Sequence, residues 1–170
     1  LMNYKESRNG LMLSADSSKI SPWLACGALS VRSVYQTVLE FESKHGATES
    51  TQAFKDELLW RDYFKHLRED IGLSFFQAEG LRPERKWSQD RGAFRSWALG
   101  QTGEPFVDAG MRELWWTGWL SNRLRQNVAS YLAKTMGVDW TWGARWFEAH
   151  LLDDDPECNW GNWLYVAGVG

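Results

Sequence analysis

Residues 50–71 read STQAFKDELLWRDYFKHLREDI, and this stretch decides the fold class. Its apolar side chains recur at helical spacing and are followed by a glycine stop, Gly72. They are Phe54, Leu58, Phe64, Leu67 and Ile71. The pattern predicts one long amphipathic helix.

Comparable periodic segments lie on both sides of this stretch. Helices are predicted between Ser30, as N-cap, and Gly46, over residues 90–99, from Pro105, and over residues 122–136 and 141–152. Residues 9–21, 72–89 and 153–162 are predicted to be loops or irregular. Because no segment alternates apolar and polar residues long enough to predict a strand, the predicted fold is all-α, with about six to eight helices.

The composition of the chain excludes several classes of protein. The chain has 170 residues, which predicts one domain. With 24% charged residues and a net charge of −3, it is neither a disordered polyelectrolyte nor a strongly basic nucleic-acid binder, so any basic site must be local. The longest uncharged run, residues 158–170, is shorter than the ~20 residues of a membrane span.

The cysteine content and the first residues of the chain indicate a cellular compartment. The chain has only 2 cysteines and no charged-then-apolar leader pattern, which favours a reducing, intracellular compartment. Cys26 and Cys158 form no nucleophile pattern with a histidine, and no metal-ligand spacing or phosphate-loop motif occurs. The number of tryptophans, 12, is unusually high and calls for an explanation.

Glu57, Trp60, Arg61 and Phe64 share one helical stripe by their spacing. This brings together a carboxylate, an indole and a guanidinium, which could bind a ligand. The alternative is an ordinary surface Glu–Arg pair beside a half-buried tryptophan.

A second stripe contains Asn122, Arg125, Gln126 and Ala129. Its polar groups end in a small residue, so a flat group could lie against it. The alternative is a solvated helix face.

The run 153–155 holds three aspartates, but glycine and glutamate are missing where a calcium loop needs them. These carboxylates are instead expected to accept hydrogen bonds from hydroxyls or from an arginine, with Arg125 as the candidate. Ser17, Ser18 and Ser21 lie in a loop that suits phosphate, although such serines more often cap helices.

Several ordered motifs resemble the photolyase/cryptochrome flavoproteins, from Tyr4 to the last residue. They are ISPWLACGALS (20–30), ELLWRDYF (57–64), TGEPFVDAGMR (102–112), SNRLRQNVAS (121–130), Asp139-Trp140 and DDDPECNWGNW (153–163). Within that family YKESRNG (4–10), Gln126 and Tyr165 resemble the DASH-type cryptochromes. Trp115-Trp116, Glu104 and Phe54 depart from the family pattern without an expected loss of flavin binding.

The resemblance implies that residues 1–170 are the helical FAD-binding domain, truncated, with the family's N-terminal α/β antenna domain absent. No antenna chromophore and no metal are therefore expected in this chain. It implies that FAD is held by Tyr4, Ser17, Ser18, Ile20, Ser21, Glu57, Arg61, Trp119, Asn122, Arg125, Asp153, Asp155 and Asn159. Asn159 would face the flavin N5, and Arg125 would pair with Asp153.

The implied activity is blue-light-driven repair of cyclobutane pyrimidine dimers in single-stranded DNA, a carbon–carbon lyase reaction. The dimer would meet Glu57, Trp60, Arg123, Gln126 and Tyr165. Trp163, Trp140 and Trp87 would form an electron-transfer chain to the surface, although Trp87 could simply pack.

A photosensory cryptochrome that binds FAD and signals without repair is the alternative, and an inert fragment is a third reading. DNA is the expected partner, a membrane is not, and a monomer is favoured. The expected location is the cytoplasm in a bacterium, or an organelle or the nucleus in a eukaryote.

Overall fold

The computed structural model describes residues 1–11 and 16–170, and these fold into helices without a strand. The helices are α1 (Tyr4–Ser7), α2 (Ser21–Ala25), α3 (Val31–His45), α4 (Glu49–Ile71), α5 (Arg91–Ala98), α6 (Pro105–Thr117), α7 (Asn122–Ser130), α8 (Trp140–His150) and α9 (Pro156–Ala167). The all-α prediction is confirmed. In the described ranges, no helix is long and apolar enough to cross a membrane.

Local signals set most of the helix ends. Helix α3 follows Ser30 and stops at Gly46, whose φ of 82° favours glycine. Thr48 caps α4 in a reciprocal box with Thr51. The Asp90 carboxylate accepts the first free N–H groups of α5.

The prediction of a loop over residues 153–162 is wrong, because α9 begins at Pro156. Proline fits the first turn, where its missing N–H costs no helical bond, and the Asp155 carboxylate caps the turn by accepting the Cys158 N–H at 3.2 Å. Gly161 looks like a loop residue but lies within α9 at a close helix contact. A Cβ there would stand 2.2 Å from the ring of Phe64.

Two other predicted segments are subdivided. The helix predicted over 122–136 is α7 followed by a π-helical turn, Tyr131–Thr135. The irregular stretch after α4 starts with a 3-10 turn, Gly72–Phe76, and later forms an isolated bridge from Ser88 to Val138. Of the predicted loop at 9–21, residues 12–15 lie outside the described residues and Ser21 begins α2.

Two hydrophobic clusters form the interior. The larger lies among α5–α9 and includes the buried rings of Trp97, Trp140 and Trp163. The smaller contains Val38, Phe54 and Leu58, from α3 and α4. Helix α4, which carries Phe54 and Leu58 of the smaller cluster, packs against α9 of the larger one.

Candidate functional site

A cavity of about 470 Å³, named the large cavity in contrast to a smaller adjoining space, is bounded by α1, α2, α4, α7 and the start of α9. Twelve of the thirteen residues predicted to hold a cofactor line it. They are Tyr4, Ser17, Ser18, Ile20, Ser21, Glu57, Arg61, Trp119, Asn122, Arg125, Asp153 and Asp155. The thirteenth, Asn159, lines an adjoining small cavity of about 100 Å³.

The two cavities share a wall held by the predicted Arg125–Asp153 pair. Arg125 Nη2 donates to both oxygens of Asp153, at 3.0 and 2.9 Å, and its Nε donates to the Leu120 carbonyl at 2.9 Å. Asp153 is buried, so this charge-assisted pairing compensates its loss of hydration. The guanidinium is thereby fixed beside both cavities.

Glu57 and Arg61 do not pair with each other, so the surface-pair alternative for this stripe is wrong. Arg61 reaches Asp155 at 2.8 Å, and Glu57 pairs with Arg8 at the end of α1. Arg8 lines the cavity as well, although the sequence assigned it no role. It lies within the YKESRNG motif, one turn after Tyr4, and its partner Glu57 is 49 residues away.

Cations and hydroxyls line one side of the large cavity. Lys19 adopts a left-handed backbone conformation, with φ 56°, between the predicted serines. Its ammonium lies 4.4 Å from the centre of the Trp119 ring, and the guanidinium of Arg125 lies 5.4 Å from it. This side suits an anionic group such as a pyrophosphate.

Tyr4 closes the large cavity against the smaller core. Its ring meets Phe54 edge-on at 4.9 Å. Burial raises the pKa of the Tyr4 phenol, which Arg8 partly opposes, so the hydroxyl stays neutral and available as a donor.

The small cavity presents amides and an indole. Asn159 is buried, and its Nδ2 donates to the Ala144 carbonyl at 2.9 Å, which fixes the orientation of its amide. Gln126 and Trp163 line the same space. Burial raises the pKa of the Cys158 thiol far above its usual range, so this thiol is no nucleophile.

The residues predicted to meet a pyrimidine dimer are dispersed near these cavities. Glu57 faces the large cavity and Gln126 the small one, while Arg123 donates to Gln126 Oε1 at 3.2 Å. Trp60 and Tyr165 are exposed, by 50% and 71%, and lie outside the linings of both cavities. Their rings are therefore open to a large ligand.

The three predicted electron-transfer tryptophans have distinct surroundings. Trp140, fully buried, and Trp87, half-buried, both donate their indole N–H to the Ala78 carbonyl, at 2.9 and 2.8 Å, so they are neighbours. The ring of Trp163 contacts Trp97 at 6.0 Å and Phe147 at 5.1 Å. Nothing in the sequence pointed to Ala78.

The donor groups fit FAD. The large cavity offers hydroxyls, guanidiniums and an ammonium to phosphates, and the small cavity offers an indole and fixed amides to a ring system. Asp153 and Asp155 are each bound by an arginine. Among the described residues, no group of three or more His, Cys, Asp or Glu side chains could hold a metal ion.

Comparison with known proteins agrees with this geometry. Residues 54–170 match the family described as the FAD binding domain of DNA photolyase. Cryptochrome DASH of Natronomonas pharaonis is 52% identical over the whole chain, which covers 36% of that relative. The chain thus spans about a third of the length of the curated relatives it matches.

Solved structures extend the likeness to the whole fold. A Synechocystis cryptochrome is 50% identical with a TM-score of 0.97, over 99% of this chain and 35% of that one. A photolyase from Sulfolobus tokodaii, described with two FAD molecules, is 35% identical with a TM-score of 0.82, over 96% of this chain and 36% of that one.

Proposed function

This chain belongs to the photolyase/cryptochrome family and contains its FAD-binding domain, and from that premise we propose that it uses blue light to repair cyclobutane pyrimidine dimers in single-stranded DNA. FAD, when bound, supplies the light absorption and the single electron that splits the dimer. The observation that carries the proposal is the position of Glu57 and Gln126 on the cavity walls, with exposed Trp60 one turn from Glu57.

In this proposal the cavity residues hold the cofactor rigidly. The serine hydroxyls would donate hydrogen bonds to the phosphates, and Lys19 and Arg61 would neutralise their charge, while Arg125, kept in place by Asp153, lies between the two cavities. Asn159 presents an amide in a fixed orientation. Such preorganised groups lose little entropy when the ligand binds.

The substrate contacts follow from exposure and chemistry. Trp60 offers a half-exposed indole against which an extruded pyrimidine dimer can stack. Glu57 and Gln126 can accept and donate hydrogen bonds to pyrimidine edges, and exposed Arg123 can contact a phosphate. Single-stranded DNA spares the cost of extruding the lesion from a duplex.

The test is a repair assay on the FAD-loaded protein, reduced and illuminated with blue light. Single- and double-stranded oligonucleotides carrying one thymine dimer are supplied, and restored thymines are counted by chromatography. We expect repair that is faster on the single strand. Unchanged dimer in both substrates would defeat the proposal.

Trp60→Ala and Trp116→Ala make a matched pair for this assay, because both remove an exposed indole. Loss of one base-stacking contact costs about 1–3 kcal/mol, so Trp60→Ala should weaken binding of the dimer at least several-fold with FAD content unchanged. Trp116→Ala should bind like the parent protein. Equal binding by both variants would remove Trp60 from the substrate site.

A photosensory role is the second candidate, favoured by Trp163 on the wall of the small cavity, whose indole could supply an electron to a flavin bound beside it. In both roles the indoles would supply the electrons that reduce the photoexcited flavin, each indole being oxidised by one electron. We expect Trp163→Phe to slow light-driven reduction several-fold while FAD binding persists. Photoreduction without repair in the parent protein would select the photosensory role.

A further inference from the structure

A series of aromatic ring contacts leads from the small cavity to the protein surface. It begins at Trp163 on the cavity wall, whose ring meets Trp97 of α5 edge-on, with centroids 6.0 Å apart. Trp97 contacts Phe94 at 5.9 Å, and Phe94 contacts Trp146 of α8 at 6.1 Å. Trp146 is stacked on Trp115 of α6 at 6.3 Å, with the two ring planes 16° apart. Because Trp115 is exposed, the contacts join the cavity to solvent.

This series differs from the predicted electron-transfer chain. In that chain, Trp140 and Trp87 are neighbours that donate to one shared backbone carbonyl. The ring of Trp163 contacts Trp97 instead, so the two series have only Trp163 in common. The series also ends at Trp115, which belongs to a dipeptide that departs from the family pattern.

The surroundings of these indoles favour outward movement of a positive charge. Indole is easily oxidised, whereas the benzene ring of Phe94 only bridges Trp97 and Trp146. Trp97 is fully buried, so a cation there lacks hydration, while Trp115 is 56% exposed and water solvates its charge. The stacked ring of Trp146 adds the attraction of a π face for a cation at Trp115. An electron deficit that starts at Trp163 is therefore more stable at the surface.

We propose that Trp97, Trp146 and Trp115 form a second electron-transfer route, the Trp115 branch, through which a thiol in solution supplies electrons to the flavin by way of Trp163. The inference rests on the proposed function, which places FAD beside Trp163. Each indole passes one electron inwards and stays oxidised by one electron until its outer neighbour reduces it.

The balance closes at the surface. Oxidised Trp115 releases its indole proton to water, and the thiol then returns one electron and one proton to the indole. The thiol is thereby oxidised by one electron for each electron that reaches the site, and two such thiols couple to a disulfide.

The first experiment locates the radical in the parent protein and needs no variant. The FAD-loaded protein is illuminated with blue light in the presence of a nitroso spin trap, without oxygen or thiol, and its peptides are sequenced by mass spectrometry. We expect a light-dependent adduct on Trp115 and much less on Trp116, although Trp116 is the more exposed of the two, at 81%. No adduct on Trp115, or equal adducts on both indoles, would overturn the inference.

The second experiment blocks the two routes separately and together. Flavin absorbance follows photoreduction under blue light with excess dithiothreitol. Trp140→Phe blocks the predicted chain, and Trp146→Phe blocks the Trp115 branch while keeping an aromatic ring in the stack. Each single variant should keep part of the parent rate, and the double variant should be several-fold slower than Trp140→Phe alone.

Trp116→Phe, added to Trp140→Phe, is the matched control and should leave the rate of Trp140→Phe unchanged. Absence of photoreduction in Trp140→Phe, or a double variant with Trp146→Phe that is as fast as Trp140→Phe, would overturn the inference.

Flavin absorbance after desalting separates this inference from the proposed function. If the parent protein retains no FAD, the proposed function fails, and the Trp115 branch fails with it. If FAD is retained and reduced by light while Trp115 stays unlabelled, only the Trp115 branch is wrong.

Discussion

The packed interior of α5–α9 and the region where α1–α4 border the large cavity, here the cavity side, bury their side chains in different ways. In the first, tryptophan rings fill the space and their N–H groups find carbonyls, as Trp97 does at Val128, 2.8 Å away. In the second, the buried hydrophobic cluster consists of only Val38, Phe54 and Leu58 among the described residues, and charged groups face open space in pairs. The ligand site thus occurs where apolar packing ends, and its charges are tolerated because they are paired.

On the cavity side, removing one partner of the pair between the cavities should have the largest effect. Asp153→Ala leaves Arg125 without its carboxylate, which should destabilise the protein by about 3 kcal/mol and abolish FAD retention. Urea unfolding and flavin absorbance measure the two effects. Asp62→Ala, at an exposed position, is the control. Stability and flavin content equal to the parent's would mean that the pair does not organise the site.

A single added methyl group should destabilise the packed interior of α5–α9. A Cβ on Gly143 of α8 would stand 2.3 Å from the ring of Trp163, so Gly143→Ala should cost about 2 kcal/mol through overpacking. Gly92→Ala, on the exposed first turn of α5, places its Cβ 3.2 Å from one atom, Asp90 Oδ1 of the exposed cap, and should change stability far less. Thermal unfolding compares them, and equal midpoints would show that this core adapts as readily as a surface.

Asp108 is a buried carboxylate outside the large cavity, and its charge is stabilised by hydrogen bonds. Burial alone would raise the pKa of Asp108, but hydrogen bonds from Thr102 and Gly103 outweigh it and hold the pKa below its ordinary value. The carboxylate therefore stabilises the fold at neutral pH, and this contribution is lost as the pH falls below about 4, the unfolded value.

Asp108→Asn should accordingly lower the free energy of unfolding by about 1–2 kcal/mol at pH 7. Its single amide oxygen would replace a carboxylate that accepts several hydrogen bonds. The deficit relative to the parent should shrink on acidification. Urea titrations at pH 7 and below pH 4 measure it. A loss of stability that does not change with pH would show that the geometry of the Asp108 side chain matters and its charge does not.

The smallest effect is expected at the surface. Trp116 is 81% exposed, so Trp116→Gln should change the free energy of unfolding by less than about 0.5 kcal/mol. The same measurement on Trp97→Gln should show severe destabilisation, because that ring is fully buried. A large loss of stability in Trp116→Gln would show that this indole makes stabilising contacts despite its exposure.

Local patterns predicted the helices because capping and periodicity act within a few residues. The helix stops at Gly46 and Gly72 and the N-cap position at Ser30 were all predicted from the sequence. The loop prediction at 153–162 failed because Pro and Gly were taken as breakers, whereas Pro156 starts a helix and Gly161 makes room for Phe64.

By itself the sequence determined the helical class, the FAD-binding family and the Arg125–Asp153 pair, all of which rest on residue types and order. Tertiary structure alone decided that Glu57 meets Arg8, that Trp140 and Trp87 share the Ala78 carbonyl, and that Asp154 is left unpaired. The Trp140 contact spans 62 residues. Contacts at such separations depend on how whole helices pack, which no local pattern specifies.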